Sequence, residues 1–472
     1  MRVLIATSEC KPYCKTGGLG DIAFSLSYEL TKLGIQTDVI LPYYEVIQNK
    51  HLLLEEVHHF QVYTNYHNVD TRIFRLHENG VNYFFVEQNQ FFYRDRLYGY
   101  FDDPLRYAAF NLAVIEFLKR SDDAFDIMQC NDWQMGMLPL LCRHNNLRVK
   151  TLLTIHNPLF QGYTSRQSLK DFFNLDYYYF DSGIVKFNDQ VAYLKAGIVC
   201  ADKVNTVSKN HARELLADMT CFNGLGYIIH MREKDFSGIT NGLDHSEFDP
   251  TKDTKIPVTF NYETREKGKV AALKEIGKTL LFDFDANHRP LVYGVVSRLT
   301  DQKGVQKIID LIPLIAVTGG KLIVLGSGDS YYENRFEHFR YLYPENVHIY
   351  RGYSDKMAHL IYAASDFYLM PSAFEPCGIS QLIAMRYGAL PIVSNVGGLI
   401  DTVKSFGTYK DPTGFTFNYN DYDDLNKMFI WAYRVSQNKE EFQKMIKNAM
   451  EYDSSWKNTI NEYIKLFNEM MK

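Results

Sequence analysis

Short, nearly continuous apolar runs alternate along this chain with stretches whose apolar residues recur every three to four positions. Such a run between polar breaks reads as a strand buried on both faces, and the helical spacing between runs as a crossover helix. Runs at residues 2–7, 37–41, 82–86, 127–130, 150–155 and 203–207 predict a first set of strands. Runs at 291–296, 321–325, 347–350, 367–370 and 390–393 predict a second. Helical patterns fall at 22–33, where Ile22, Ala23, Leu26, Leu30 and Leu33 share a face, and at 265–273, 305–315 and 379–387. A further helical stretch covers 422–472, interrupted at 453–455. This is α/β architecture, met twice.

The two series meet in a segment, about 244–288, that is poorer in pattern and richer in charge and carries Asp249-Pro250 and Ile256-Pro257. A hinge is placed at its edge, near Gly242. The expected division is an N-terminal Rossmann-like domain over 1–243, a C-terminal one over 244–450, and a last helix, 451–472, packing back on the first. Doubly wound domains carry their ligand loops at the C-terminal ends of the strands. The chemistry is therefore expected in a cleft where the two domains face each other.

Composition narrows the classes. With 472 residues, 46% apolar and 23% charged, the chain can build large cores and is not globally disordered. Its net charge is −5 and its basic residues form no tail or stripe, which argues against nucleic acid as a partner. Seven scattered cysteines without a C-x-x-C pair suit reduced thiols in the cytoplasm. No run approaches the roughly 20 apolar residues of a membrane span, and the opening Met-Arg-Val-Leu-Ile-Ala-Thr reads as a buried strand. The 34 Tyr and 32 Phe hint at sugar-stacking surfaces, though composition alone is a weak hint.

Three loops carry candidate chemistry. Lys-Thr-Gly-Gly-Leu-Gly-Asp at 15–21 lies between the first strand and the first helix, where glycine backbone, helix N–H groups and Lys15 suit an anion. Gly18-x-Gly20-x-x-Ala23 also fits a dinucleotide fingerprint, but the glycines come about ten residues after the strand and no acidic residue ends the second strand. The second loop brings Arg298 and Lys303 to a strand end and helix start, a second anion site or a solvated basic turn. The third, Pro-Ser-Ala-Phe-Glu-Pro-Cys-Gly at 371–378, places Glu375 beside a switch point. Glu375 suits contact with sugar hydroxyls or developing positive charge. It also suits a first-turn residue complementing a helix dipole.

In this order and at these separations, K-T-G-G-L-G-D, S-R-L-T-x-Q-K-G and P-S-x-F-E-P-C-G resemble the motifs of bacterial glycogen synthases and plant starch synthases. Asn131-Asp132-Trp133, Thr154-Ile155-His156-Asn157, Asn241-Gly242-Leu243-Asp244, Gly352-Tyr353 and Gly397-Gly398-Leu399 support the resemblance, which covers essentially the whole chain. It implies the GT-B fold and retaining transfer of glucose from ADP-glucose to the 4-OH end of glycogen or another α-1,4-glucan, with no cofactor and no metal. It implies catalytic roles for Glu375, His156, Arg298 and Lys303. Donor contacts are implied for Lys15 and Gly18 on the phosphates, Asp132 and Asn241 on the glucose, and Tyr353 on adenine. Cys377, Gly378, Gly397 and Gly398 complete the donor loops. By position alone His156 fits a core histidine better than a site residue; the resemblance reverses that. Two departures stand out. The family often has His where this chain has Asn131, and Thr where it has Val396. UDP-glucose as donor, or a catalytically silent glucan-binding relative, are the alternatives; the presence of Lys15, Arg298, Lys303 and Glu375 speaks against the second.

Overall fold

The computed structural model describes residues 1–66 and 68–472, which divide into two compact units: 1–241 with 456–472, and 242–455. In chain order the strands of the first unit are β1 (Arg2–Ala6), β2 (Gln36–Pro42), β3 (Glu55–Tyr63), β4 (Asn68–Glu78), β5 (Val81–Glu87), β6 (Ile127–Asn131), β7 (Lys150–Ile155), β8 (Tyr163–Thr164), β9 (Lys186–Phe187), β10 (Gln190–Ala192), β11 (Lys203–Thr206) and β12 (Phe236–Gly238). Nine of them form one sheet in the order β12-β11-β7-β6-β1-β2-β5-β4-β3, and β8, β10 and β9 form a small antiparallel sheet. From β12 to β5 the large sheet is parallel; β4 and β3 extend it as an antiparallel hairpin. Val3, Leu4, Ile5 and Ala6 of β1 are fully buried, as their unbroken apolar run requires for a central strand. β1 is followed in the chain by β2 on one side and is flanked by β6 on the other, so the switch point lies between β1 and β6.

The last helix, Trp456–Met470, belongs to this unit and packs on the helix Gly18–Lys32. Its buried Trp456, Ile460, Tyr463, Phe467 and Met470 recur every three or four residues, one apolar face along the helix. Thr459 Oγ1 donates to the Thr240 carbonyl at 2.7 Å, and Lys209 pairs with Glu462 at 2.6 Å.

The second unit holds β13 (Val292–Val296), β14 (Lys321–Gly326), β15 (Val347–Arg351), β16 (Phe367–Met370), β17 (Leu390–Ser394) and β18 (Phe415–Phe417). All are parallel, in the order β15-β14-β13-β16-β17-β18, with the switch point between β13 and β16. At the opposite end of this sheet Arg289 grips the buried Asp366 through two 2.7 Å bonds, and the buried Lys269 donates to the Ser365 carbonyl. Burial pushes the Lys269 ammonium down to about 8 against the pull of Asp366. This network ties the helix Arg265–Leu280 to the sheet.

The predicted strands are all present, and three further features are found. The β3–β4 hairpin has mostly exposed or half-buried positions, so charge interrupts its alternation. β12 and β18 are only three residues each. The helix expected over 305–315 is two short ones, Val305–Asp310 and Ile312–Val317, because Pro313 cannot donate to a continuous ladder. Among the described residues no helix is long and apolar enough to cross a membrane.

Candidate active site

At the switch point of the first unit, the chain leaves β1 through Thr7 and Ser8 and turns at Glu9, which is buried. The Glu9 carboxylate accepts from the Thr16 amide at 2.5 Å, the Thr16 hydroxyl at 2.8 Å, the Gly17 amide at 3.2 Å and the Tyr98 hydroxyl at 2.5 Å. Two amides of the glycine-rich loop are therefore bound inside the protein, which narrows the anion site expected there. Outside the Glu9 bonds lie the start of the helix Gly18–Lys32, which among the described residues no side chain caps, and Lys15, whose ammonium pairs with Asp21 at 3.0 Å. Lys15 and Gly18 thus sit together on this loop. Its charge is partly balanced before any ligand arrives.

β6 ends at Asn131, and Asp132 follows with φ 57° and ψ −171°. That region is almost closed to residues with a Cβ, and holding Asp132 there costs about 1–3 kcal/mol. The strain turns its carboxylate back on the end of β7, where one oxygen accepts from the amides of His156 at 2.7 Å and Asn157 at 3.1 Å. Burial pushes the Asp132 carboxyl up to about 7 against those two bonds, with Glu9 adding repulsion. Burial also drives His156 down to about 3, so its ring is neutral at physiological pH. His156 Nε2 lies 2.9 Å from Asn131 Oδ1, and Asn131 Nδ2 donates to the Ala6 carbonyl at 3.0 Å. Asn241, the last residue of this unit before the crossing to the second, is buried, and its Oδ1 has no hydrogen-bond partner among the described residues.

In the second unit the loop after β13 carries Arg298, exposed, and Lys303, half-buried. Among the described residues the Arg298 guanidinium makes no hydrogen bond or ion pair. Lys303 Nζ meets Glu375 Oε2 at 2.6 Å, and Ser372 donates to the same oxygen at 3.1 Å. Gly304, at φ 65°, lets the β13 loop press on the β16 loop: a Cβ there would lie 1.7 Å from the Pro371 carbonyl oxygen. Gly397, at φ 45°, does the same for the loop after β17, where a Cβ would lie 2.0 Å from the Glu375 carbonyl oxygen, and the Gly398 amide donates to that oxygen at 3.0 Å. The buried Gln381 Nε2 donates to the Gly378 carbonyl at 3.0 Å and to Thr402 Oγ1 at 3.0 Å, locking Cys377 and Gly378 against the helix Gly397–Thr402.

Glu375 is not a first-turn dipole partner. The helix begins at Ser380, five residues on, and the carboxylate is held by Lys303 and Ser372 instead. Cys377 is a buried free thiol, which fits packing rather than nucleophilic chemistry. Val396 stands at the N-cap of the helix Gly397–Thr402 and, lacking a hydroxyl, offers no cap bond. Tyr353 is 71% exposed, two residues before the helix Asp355–Ala364, with its hydroxyl 3.4 Å from Asp355. Sequence reasoning did not find Glu9 or the Asn131–His156 contact. The acidic residue right after the first strand was the only signal for Glu9.

Two family descriptions match the chain: starch synthase catalytic domain over residues 2–230 and glycosyl transferases group 1 over residues 278–452. The catalytic domain of starch synthase IV from Arabidopsis thaliana, bound to ADP and acarbose, superposes with a TM-score of 0.90 at 29% identity, covering 100% of this chain and 99% of that one. Sucrose-phosphate synthase from Thermosynechococcus elongatus shares the fold, with a TM-score of 0.64 at 15% identity over 99% of this chain and 98% of that one. Two parallel-sheet units with loop sites at their switch points, together with these matches, define a glycosyltransferase of the GT-B fold. The glycogen synthase of Lactobacillus acidophilus is 39% identical, covering 100% of both chains, and that of Clostridium perfringens is 37% identical over 100% of this chain and 99% of its own. The chain belongs to the glycogen synthase family.

Proposed function

We propose that this protein transfers glucose from ADP-glucose to the non-reducing 4-OH end of an α-1,4-glucan, with retention at the anomeric carbon and without a metal, in the cytoplasm. The observation that carries the reading is the switch point of the second unit, where Lys303 and the buried Glu375 meet at 2.6 Å on loops interlocked at Gly304 and Gly397. As the glucosyl–oxygen bond breaks, negative charge grows on the departing diphosphate and positive charge on the sugar. Fixed cations, Arg298 and Lys303, stabilise the first, and Glu375 the second.

From the first unit, Lys15 and Gly18 act on the phosphates, and Asp132, His156 and Asn241 on the glucose. Asn241 Oδ1 is a buried acceptor without a partner among the described residues, a state costing about 1–3 kcal/mol that a sugar hydroxyl would relieve. Cys377, Gly378, Gly397 and Gly398 frame Glu375, and Tyr353 offers a ring face to adenine. Stacking tolerates any base, so the choice of ADP-glucose rests on kinship with the ADP-bound starch synthase. Metal-free action is supported by the charges present. Among the described residues, the one group of side chains with metal-ligand spacing, Glu247, Asp355 and His359, already surrounds the Lys255 ammonium, 2.6 Å from Asp355 and 3.3 Å from Glu247.

Incubation with glycogen and either ADP-glucose or UDP-glucose tests the reading through nucleotide release. Glycogen-dependent ADP release, clearly faster than UDP release, is expected. Equal or faster UDP release would replace the donor, and no glycogen-dependent release from either would overturn the transferase reading for this chain.

A further inference from the structure

Asn131 ends β6, and its two bonds leave little freedom in how the side chain is oriented. Its amide is buried between two partners of opposite demand. The Ala6 carbonyl can only accept, so the Asn131 Nδ2 group faces it, at 3.0 Å. The carbonyl oxygen Oδ1 is thereby turned toward the His156 ring, 2.9 Å from Nε2. An amide oxygen can only accept, so Nε2 must carry the proton. Flipping the amide would set Oδ1 against the Ala6 oxygen and lose that bond. The backbone on either side of the ring is also fixed, since the Asp132 carboxylate holds the His156 and Asn157 amides. The ring is neutral, because burial holds its pKa at about 3. A neutral imidazole protonated on Nε2 has a lone pair on Nδ1.

We infer that Asn131 is a positioning residue that locks His156 in its Nε2–H form and thereby presents Nδ1 as a hydrogen-bond acceptor to a hydroxyl of the donor sugar. A histidine at position 131 could offer either a donor or an acceptor to this ring; asparagine in this orientation offers an acceptor alone. The consequence is directional. The hydroxyl facing His156 must donate, so a substituent of similar size that cannot donate is rejected. The sugar half of this inference rests on the proposed placement of glucose beside His156; the tautomer half does not.

The experiment has two arms, chosen so that the two halves fail separately. In the first, the free protein is labelled with ¹⁵N-histidine, and the His156 ring is assigned by its loss in His156→Gln. A protonated-type nitrogen at Nε2 and an unprotonated-type nitrogen at Nδ1 are expected at pH 7. In Asn131→Leu, which keeps the bulk and removes the acceptor, the two signals should move toward averaging between tautomers. Protonation at Nδ1 in the wild type, or an unchanged pattern in a folded Asn131→Leu protein, overturns the inference whatever the enzyme's turnover. A purely structural Asn131 would leave this pattern unmoved. In the second arm, turnover is measured with ADP-glucose analogues carrying fluorine in place of one hydroxyl at a time. One position is expected to lose about ten- to a hundredfold in kcat/KM, the scale of a buried acceptor left unpaired, and His156→Ala is expected to abolish that difference. Normal turnover of ADP-glucose with no hydroxyl selectively dependent on His156 overturns the sugar contact. Failure to turn over ADP-glucose at all would instead count against the proposed reaction and leave the tautomer result standing. If Asn131→Leu does not fold, the wild-type ring pattern and the fluorinated donors still decide.

Discussion

The two switch points occupy equivalent places in their sheets but are built with opposite electrostatics. In the first unit the polar groups are largely satisfied by the protein itself. Glu9 holds loop amides, Asp132 holds strand-end amides, and Lys15 is paired with Asp21. Burial there favours uncharged forms, moving Asp132 up and His156 down. In the second unit two cations and one carboxylate are gathered on interlocked loops, and Arg298 is exposed without a partner among the described residues. Donors and acceptors already oriented by bonds within the protein suit the recognition of hydroxyl groups. Fixed charge suits a step in which charge develops. One sheet topology thus serves both tasks, and the loop residues divide them.

The largest effect expected from this division is at Glu375. Glu375→Ala should lower kcat on the order of a thousandfold, the upper range for losing one electrostatic stabiliser, with KM for the donor changed far less. Near-normal kcat in a folded variant would remove Glu375 from the chemistry. Lys303→Gln comes next, at about a hundredfold in kcat. It has a second consequence that follows from the 2.6 Å pair: it leaves a buried carboxylate without its cation, so thermal stability should fall as well. A drop in rate with unchanged melting would mean that the pair is not formed in solution.

The base site should respond less. Tyr353→Ala is expected to weaken ADP binding by about 1–3 kcal/mol, read by calorimetry, as loss of a stacking face does elsewhere. A further effect, on stability and not on turnover, separates the first unit from the second through pH. The Asp132 carboxyl is raised from an ordinary value of 3.8 to about 7 in the folded protein. Between those values the folded state binds a proton that the unfolded state has released, so stability falls as pH rises from about 4 through 7. Asp132→Asn removes that loss. It should be more stable than the wild type at pH 8 and should lose the advantage near pH 4, read from denaturant unfolding at the two pH values. An equal difference at both pH values would mean that the Asp132 carboxyl titrates normally.

Much of this comparison was legible in the sequence, because the sheets are built from unbroken apolar runs and the loops from glycine and lysine at strand ends. β1 and β13 could be read from their composition, and so could the loops bearing Lys15, Arg298 and Glu375. The β3–β4 hairpin could not, since residues such as Glu55, Glu56, His58 and His59 break its alternation at the sheet's edge. Nor could the partners. Lys303 and Glu375 are 72 residues apart in the chain, Asn131 and His156 are 25 apart, and Glu9 and Tyr98 are 89 apart. The chain's local pattern names none of these partners, because pairing between loops is set by strand order and not by neighbouring residues. The loop amides held by Glu9 show the cost of that blindness: groups counted as open to an anion are already bonded within the fold.

The most direct test of the central claim, that side-chain cations of the second unit stabilise the departing diphosphate without a metal, is turnover of ADP-glucose with glycogen in excess EDTA. Wild-type turnover is predicted to be nearly unaffected by the chelator, while Lys303→Gln is slowed about a hundredfold with or without it. Loss of wild-type activity on chelation, restored by Mg²⁺, would contradict the account.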